Sequence, residues 1–293
     1  MANPVFGRVL TAMVTPFNAD GSVDYRAARA LARYLIDVQG NDALVLNGTT
    51  GEAPTTTEPE KQELIRQVRA ELGDAVPLVA GTGYNDTIET VKLSQDCIRA
   101  GADGLLVVTP YYSRPPQEGV YRHFMTVADA VDKPIIIYDI PKRAGIEVAE
   151  PTLIRLSTHD RIVGVKDAKG DLASTANVIK QTDLAYYSGD DPLTLPLLSI
   201  GAVGVIGTST HFSGQGTKAM IEAFLAGNPE KALEWHRRML PVFTGVFATQ
   251  GAMMVKGTLA RRGQIQPGLR GPLVEADPAL IDTFLDTLAS LGL

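Results

Sequence analysis

Eight short runs rich in β-branched and other apolar residues recur before residue 208, at 9–14, 43–47, 76–80, 104–108, 134–138, 162–166, 185–188 and 202–207. Between them lie segments whose apolar positions repeat near every 3.6 residues, as at 25–39, 58–72, 88–100 and 117–131. A strand that is apolar along its whole length has both faces covered, which a parallel sheet with helices packed outside provides. Eight strand–helix units in 293 residues predict an α/β fold of the (β/α)8 TIM barrel class, with an open doubly wound sheet as the alternative. Thr57-x-x-Glu60 and Asp86-x-x-Glu89 read as capping boxes, and Gly40, Gly73 and Gly101 fall where helices should stop. After Gly227 only helical patterns remain, and Asn228-Pro229 and Asp277-Pro278 each read as an N-cap followed by proline. The expected division is a catalytic barrel over residues 1–224 and a small C-terminal helical appendage over 225–293.

Composition removes several function classes. The formal net charge is −6 and no basic tract or Arg/aromatic cluster stands out, so nucleic acid is not an expected partner. Cys97 is the only cysteine, which rules out an internal disulfide and a cysteine-built metal site and fits a reducing compartment. Its place near Leu93 and Ile98 predicts a buried structural thiol. The first residues lack the basic and long apolar regions of a signal peptide, and no apolar stretch approaches the roughly 18–20 residues of a membrane span. A cytoplasmic protein with no membrane partner is expected.

In barrels of this class the active site lies at the C-terminal ends of the strands. Those ends read Thr15-Pro16-Phe17, Asn47-Gly48-Thr49-Thr50-Gly51-Glu52, Thr109-Pro110-Tyr111-Tyr112, Tyr138-Asp139-Ile140-Pro141 and Lys166-Asp167. They are rich in hydroxyls, hold one aligned lysine and contain no histidine. Serine–histidine catalysis and zinc hydrolysis lose ground accordingly. His123, His159, His211 and His236 are read as surface or helix-packing residues, His211 being the least settled because it follows the eighth strand.

Strand parity predicts that Lys166, Gly164 and Ile162 point into the barrel while Val163 and Val165 face the helices. Gly164 would then leave room beneath the lysine. The bland alternative for Lys166 is a strand-end ion pair with Asp167; Lys169, beyond the strand, is read as a solvated loop lysine. At the reference pKa of about 10.4 only about one amine in 2,500 is neutral at pH 7, and burial is what brings such lysines to roughly 7–8. A neutral amine among hydroxyls, with no metal or cofactor motif, suggests Schiff-base chemistry on a carbonyl substrate. The Gly48–Glu52 turn, with flanking glycines, successive N–H groups and two hydroxyls, suits a carboxylate, although an ordinary capped turn would read the same way. No GxGxxG or GxxxxGK[ST] phosphate loop is present, and Gly81-Thr82-Gly83 is explained by a tight turn.

GTTGE (48–52), TPYY (109–112), YDIPKRAG (138–145) and GVKDA (164–168) together resemble the pyruvate-dependent class I lyase and aldolase family in order and spacing, over essentially the whole chain. That family includes dipicolinate-forming synthases of lysine and diaminopimelate biosynthesis, N-acetylneuraminate lyases and 2-keto-3-deoxy sugar acid aldolases. The resemblance implies that Lys166 forms a Schiff base with pyruvate, so that no cofactor or metal is needed. It implies that Tyr138 and Thr49 carry protons near the imine, and that Tyr112 reaches into the site of a neighbouring subunit. A tight dimer follows, paired into a homotetramer. Thr50, Ile206 and Gly189 are implied substrate contacts, and Arg143 is implied to hold the carboxylate of a second substrate, aspartate 4-semialdehyde. A guanidinium fork suits a carboxylate and is not expected where a polyhydroxylated sugar tail must fit.

The chain also departs from the family pattern. Asp139 stands where many relatives have Asn, Gly207-Thr208 where Ser-Val is common, and His211 where Asn is common. The strand-eight changes keep a sister aldolase cleaving a 2-keto-3-deoxy acid open as a second reading; a non-catalytic binding barrel is a third, opposed by the intact Lys166, Tyr138, Thr49 and Tyr112. At the implied allosteric lysine site Asn85, Glu89 and Tyr111 are kept, but Glu58 and Lys61 replace histidines and Ala53-Pro54 replaces a Ser-Ala pair. Lys61 near a cationic effector would repel it, so feedback by lysine is expected to be weak or absent.

Overall fold

The computed structural model describes residues 2–293. Eight strands, β1 (Val9–Ala12), β2 (Ala43–Leu46), β3 (Leu78–Gly81), β4 (Gly104–Val108), β5 (Ile135–Asp139), β6 (Ile162–Asp167), β7 (Ala185–Ser188) and β8 (Gly204–Gly207), pair in chain order. All neighbours are parallel, and β8 returns to β1 with Val9 opposite Val205 and Leu10 opposite Ile206, so the sheet is a closed barrel. The open sheet is thereby excluded.

Around it run α1 (Tyr25–Asp37), α2 (Glu58–Leu72), α3 (Thr87–Arg99), α4 (Gln117–Asp129), α5 (Pro141–Ala144), α6 (Glu150–Leu156), α7 (Leu172–Gln181), α8 (Thr194–Ser199) and α9 (Thr210–Leu225). Three further helices follow: α10 (Pro229–Gly245), α11 (Gly251–Arg261) and α12 (Pro278–Ser290). Asn228 and Asp277 cap α10 and α12 as read, with proline in each first turn. Thr57 and Glu60 form the full reciprocal capping box of α2, whereas Asp86 caps α3 by accepting from the Ile88 and Glu89 amides without a return bond from Glu89. Gly40, Gly73 and Gly101 all take the positive φ that ends a helix. Among the described residues no helix is long and apolar enough to cross a membrane.

Alternation along the strands makes two cores. Leu10, Val45, Val79, Leu106, Ile136, Tyr187 and Ile206 fill the barrel, while Leu44, Leu78, Leu105, Ile137 and Val165 pack against the helices. Burying each such side chain stabilises the fold by about 1.5–3 kcal/mol. The outer core runs on into the last helices, where Phe212 of α9 meets Phe284 of α12 edge-on with ring centroids 5.5 Å apart.

The parity read for β6 holds at Gly164, Val165 and Lys166 and reverses below them. Ile135 pairs with Ile162 but Ile136 pairs with Gly164, so one residue of β6 is skipped. Ile162 therefore packs among the helices and Val163 against the barrel interior, opposite to expectation. Nor does Gly164 open space under the lysine: a Cβ there would lie 2.5 Å from the Ala185 carbonyl oxygen, so the glycine serves the close approach of β7.

Candidate active site

Among the described residues four non-glycines have positive φ, and all lie in loops after β2 and β4: Asn47, Glu52, Tyr112 and Arg114. Strain of this kind concentrates where a loop is held for a purpose. These loops frame the mouth of the barrel together with the ends of β5 to β8.

Lys166 and Tyr138 are register partners across β5 and β6, so both side chains enter the barrel side by side. The Lys166 ammonium lies 4.3 Å from the Tyr138 ring centroid, and the residue is 6% exposed. Burial pulls its pKa down to about 8; Asp191 opposes the shift and Arg143 adds to it. Asp167 does not pair with it: that carboxylate accepts from the Lys169 and Gly170 amides and the Thr175 hydroxyl. Lys169 is not the solvated lysine expected, because its ammonium donates to Ser174 Oγ at 2.9 Å, 3.9 Å from Glu147, and its side chain is only 10% exposed.

Burial pushes the Tyr138 phenol up to about 12, against the nearby Arg143 and the Thr49 hydroxyl. Tyr138, Thr49, Ile140 and Arg143 line one cavity of about 260 Å³ at the barrel mouth; Lys166 is packed on the ring behind this wall and does not line it. Arg143, on the short helix α5, is exposed at the rim.

The turn after β2 is built as a cradle. The amides of Thr49, Thr50 and Gly51 donate to no backbone carbonyl of the described residues, while Glu52 and Ala53 close the turn onto Thr49 and Gly48. Thr15 holds the Gly51 carbonyl at 2.7 Å, and a Cβ on Gly51 would crowd the Met13 carbonyl oxygen at 3.1 Å. Glu52 turns away from the mouth and meets Lys256 of α11 at 2.5 Å, its second oxygen accepting the Arg270 amide. The Arg270 side chain in turn bonds Glu60 and the Gly21 and Thr55 carbonyls. The C-terminal helices thus clamp the cradle from outside the barrel.

This arrangement of a buried amine, a phenol and a free-amide turn accords with the match to known proteins. The dihydrodipicolinate synthetase family model matches residues 5–290. The chain belongs to this family. It is 54% identical to a 4-hydroxy-tetrahydrodipicolinate synthase of Acidothermus cellulolyticus, covering 98% of this chain and 93% of that one. It is 52% identical to the synthase of Cutibacterium acnes, covering 98% of each. A crystal structure of the Aquifex aeolicus dihydrodipicolinate synthase superposes with a TM-score of 0.94 at 35% identity, covering 98% and 99% of the two chains. The Cyanidioschyzon merolae enzyme, solved with lysine bound, gives 0.94 at 39% identity over 98% of each. The chain is accordingly an enzyme, a lyase of the class I aldolase type.

Within the single chain of this family member, Lys166, Tyr138 and Thr49 come together, with Thr50, Ile206 and Gly189 at neighbouring strand ends. Ile206 is buried in the inner core, and the Gly189 amide donates to the Asp167 carbonyl at 2.7 Å. Tyr112 stands apart at 90% exposure on a left-handed backbone. At the candidate effector site burial raises the Tyr111 phenol above its ordinary value, and the Asn85 backbone opposes the shift. Lys61 is 2% exposed and lines the same cavity as Tyr111, Ala53 and Pro54, its ammonium donating to Thr56 O at 2.7 Å and Tyr84 Oη at 3.1 Å. Lys92 sits 3.1 Å from Glu58 and 3.8 Å from Glu89.

The histidines serve packing: His123 and His211 are buried and pulled down to about 4, and His211 bonds the backbone alone. Cys97 is buried, its thiol pushed up to about 12. Among the described residues no cluster of three or more His, Cys, Asp or Glu could hold a metal ion. Sequence reading missed Asp191 and Lys256. The first lies beyond β7, at the start of a short 3-10 turn, where no spacing pattern points to it. The second is a lysine on a helix, where only its apolar neighbours Ala252, Val255 and Leu259 signal burial.

Proposed function

We propose that this chain condenses pyruvate with L-aspartate 4-semialdehyde, the 4-hydroxy-tetrahydrodipicolinate synthase reaction of lysine and diaminopimelate biosynthesis. The observation that carries the reading is a buried lysine with no carboxylate partner, lowered to about 8 and packed on a tyrosine. About one in ten such amines is neutral at pH 7. The neutral amine attacks the keto carbon of pyruvate and water leaves, giving an iminium. Loss of a methyl proton gives an enamine, whose carbon attacks the aldehyde of the second substrate, and the new oxygen takes a proton. The amine of that substrate then attacks the imine carbon, closing the ring and releasing Lys166. The iminium is the electron sink, so no cofactor enters.

In this reading Tyr138 and Thr49 shuttle the protons, the Thr49–Gly51 amides and the Thr50 hydroxyl hold the pyruvate carboxylate, and Ile206 and Gly189 bound the keto acid. Arg143, free at the rim, takes the semialdehyde carboxylate, which disfavours a sister aldolase acting on a sugar acid. Tyr112, exposed and strained, completes the relay in the site of a partner in a cytoplasmic homotetramer. Lysine feedback is weak or absent, because Lys92 already neutralises Glu58 and Glu89.

Borohydride with pyruvate should fix one pyruvate-derived mass on Lys166, and the semialdehyde should compete with trapping. No adduct would end the reading, and an adduct indifferent to the semialdehyde would favour the sister aldolase. Millimolar lysine added to the turnover assay should change the rate by less than about twofold; full inhibition below a millimolar would overturn the feedback statement.

A further inference from the structure

Gly207, Thr208 and His211 form one linked unit in the structure. Gly207 lets Asp191 approach: a Cβ there would lie 2.5 Å from Asp191 Oδ1. Asp191, buried in the short 3-10 turn that follows β7, accepts the Thr208 amide at 3.3 Å and the Ser209 amide at 3.2 Å. His211 donates from Nδ1 to the Thr208 carbonyl at 2.8 Å, and its Nε2 accepts the Val14 amide at 3.2 Å. Thr208 is therefore fixed at both its N–H and its C=O. Its hydroxyl is aimed across the mouth, 3.2 Å from that of Thr50, with both residues 8% exposed.

Two hydroxyls carry two donor hydrogens, and a bond between them uses one. Neither hydroxyl has another hydrogen-bond partner among the described residues, so one O–H remains uncommitted in a nearly closed site. Beside it lie the uncommitted amides of Thr49, Thr50 and Gly51. Donors without acceptors, in one turn and on the hydroxyl facing it, call for an acceptor-only ligand, and a carboxylate is one.

We propose that Thr208 is a substrate-binding residue, whose hydroxyl acts with that of Thr50 to hydrogen-bond the carboxylate of the bound 2-keto acid. This rests on the reading of the site as one that binds pyruvate. Valine has the shape of threonine, so Thr208→Val removes the hydroxyl and leaves the packing against Gly251 in place. The readout is borohydride trapping on Lys166 over a range of pyruvate concentrations, together with steady-state kinetics. The half-saturating pyruvate concentration should rise about tenfold in Thr208→Val, as for loss of a hydrogen bond to a charged group. The kcat should stay within about twofold and the semialdehyde KM should not move. Thr208→Ser, which keeps the hydroxyl, should stay within about threefold of the parent, and Thr208→Ala should repeat the valine result. Unchanged half-saturation in both hydroxyl-free variants, or a fall in kcat alone, would overturn the proposal. A parent chain that traps no pyruvate would overturn the pyruvate reading, and this proposal with it.

Discussion

Lys166 and Lys256 are both sealed inside the molecule, 6% and 0% exposed, and each ammonium lies against an aromatic ring, 4.3 Å from Tyr138 and 3.9 Å from Phe17. Burial lowers the pKa of both. They differ in their company. Lys256 has the Glu52 carboxylate at 2.5 Å, a bond that opposes the loss of its proton. Among the described residues Lys166 has no hydrogen-bonded acid, and the charge nearest in effect, Asp191, is committed to the Thr208 and Ser209 amides. The same residue type at similar depth is thus ion-paired in one place and, in the proposed reading, reactive in the other. A buried lysine becomes a nucleophile by what is withheld from it as much as by the burial itself.

The comparison breaks most sharply at Lys166. Lys166→Ala should lower turnover by about 10⁴-fold or more, roughly 5.5 kcal/mol, and abolish borohydride trapping. Thermal stability should hold or rise, because an unpaired buried amine has been removed; retained turnover would assign the chemistry to another group.

Lys256→Met should act on stability instead. It leaves Glu52 buried without its partner, at about 3–5 kcal/mol by denaturant unfolding. Lys256→Met with Glu52→Gln removes both charges and should recover most of that loss. A Lys256→Met chain as stable as the parent would show that the pair does not hold the cradle.

The smallest effect is a slope. Because the Lys166 amine is lowered to about 8, kcat/KM for pyruvate should climb close to tenfold per pH unit below that value and level above it. Stability carries the matching sign: between about pH 8 and 10.4 the unfolded chain holds a proton that the folded one has lost, so folding gains as pH rises through that window. Activity falling between pH 7 and 8 would place the working amine elsewhere.

Local periodicity made the barrel legible, because eight doubly covered strands leave few alternatives and each ends near its expected residue. That Lys166, Tyr138 and the Gly48–Glu52 turn lie at one end of the barrel was legible because parallel strand ends share one face. What escaped is non-local. The skipped residue in β6 is set by pairing with β5, and no pattern within Ile162–Asp167 announces it. Gly164 answers to a carbonyl on the next strand. The burial of Lys169 depends on Ser174 and Glu147, beyond the reach of spacing rules. Gly207, Thr208 and His211 are near neighbours in the sequence, but their unity appears only when Asp191 and Thr50 are brought beside them.

The bond between Lys256 and Glu52 joins residues 204 positions apart. A chain leaving the ribosome has made every strand of the barrel by Gly207, but it cannot yet fasten the turn after β2. Domains fold as their parts emerge, and contacts of long separation form last. The nascent barrel therefore holds Lys166 for about fifty residues of synthesis before α11 arrives to set the turn after β2. In this chain the final helices decide when the enzyme is finished.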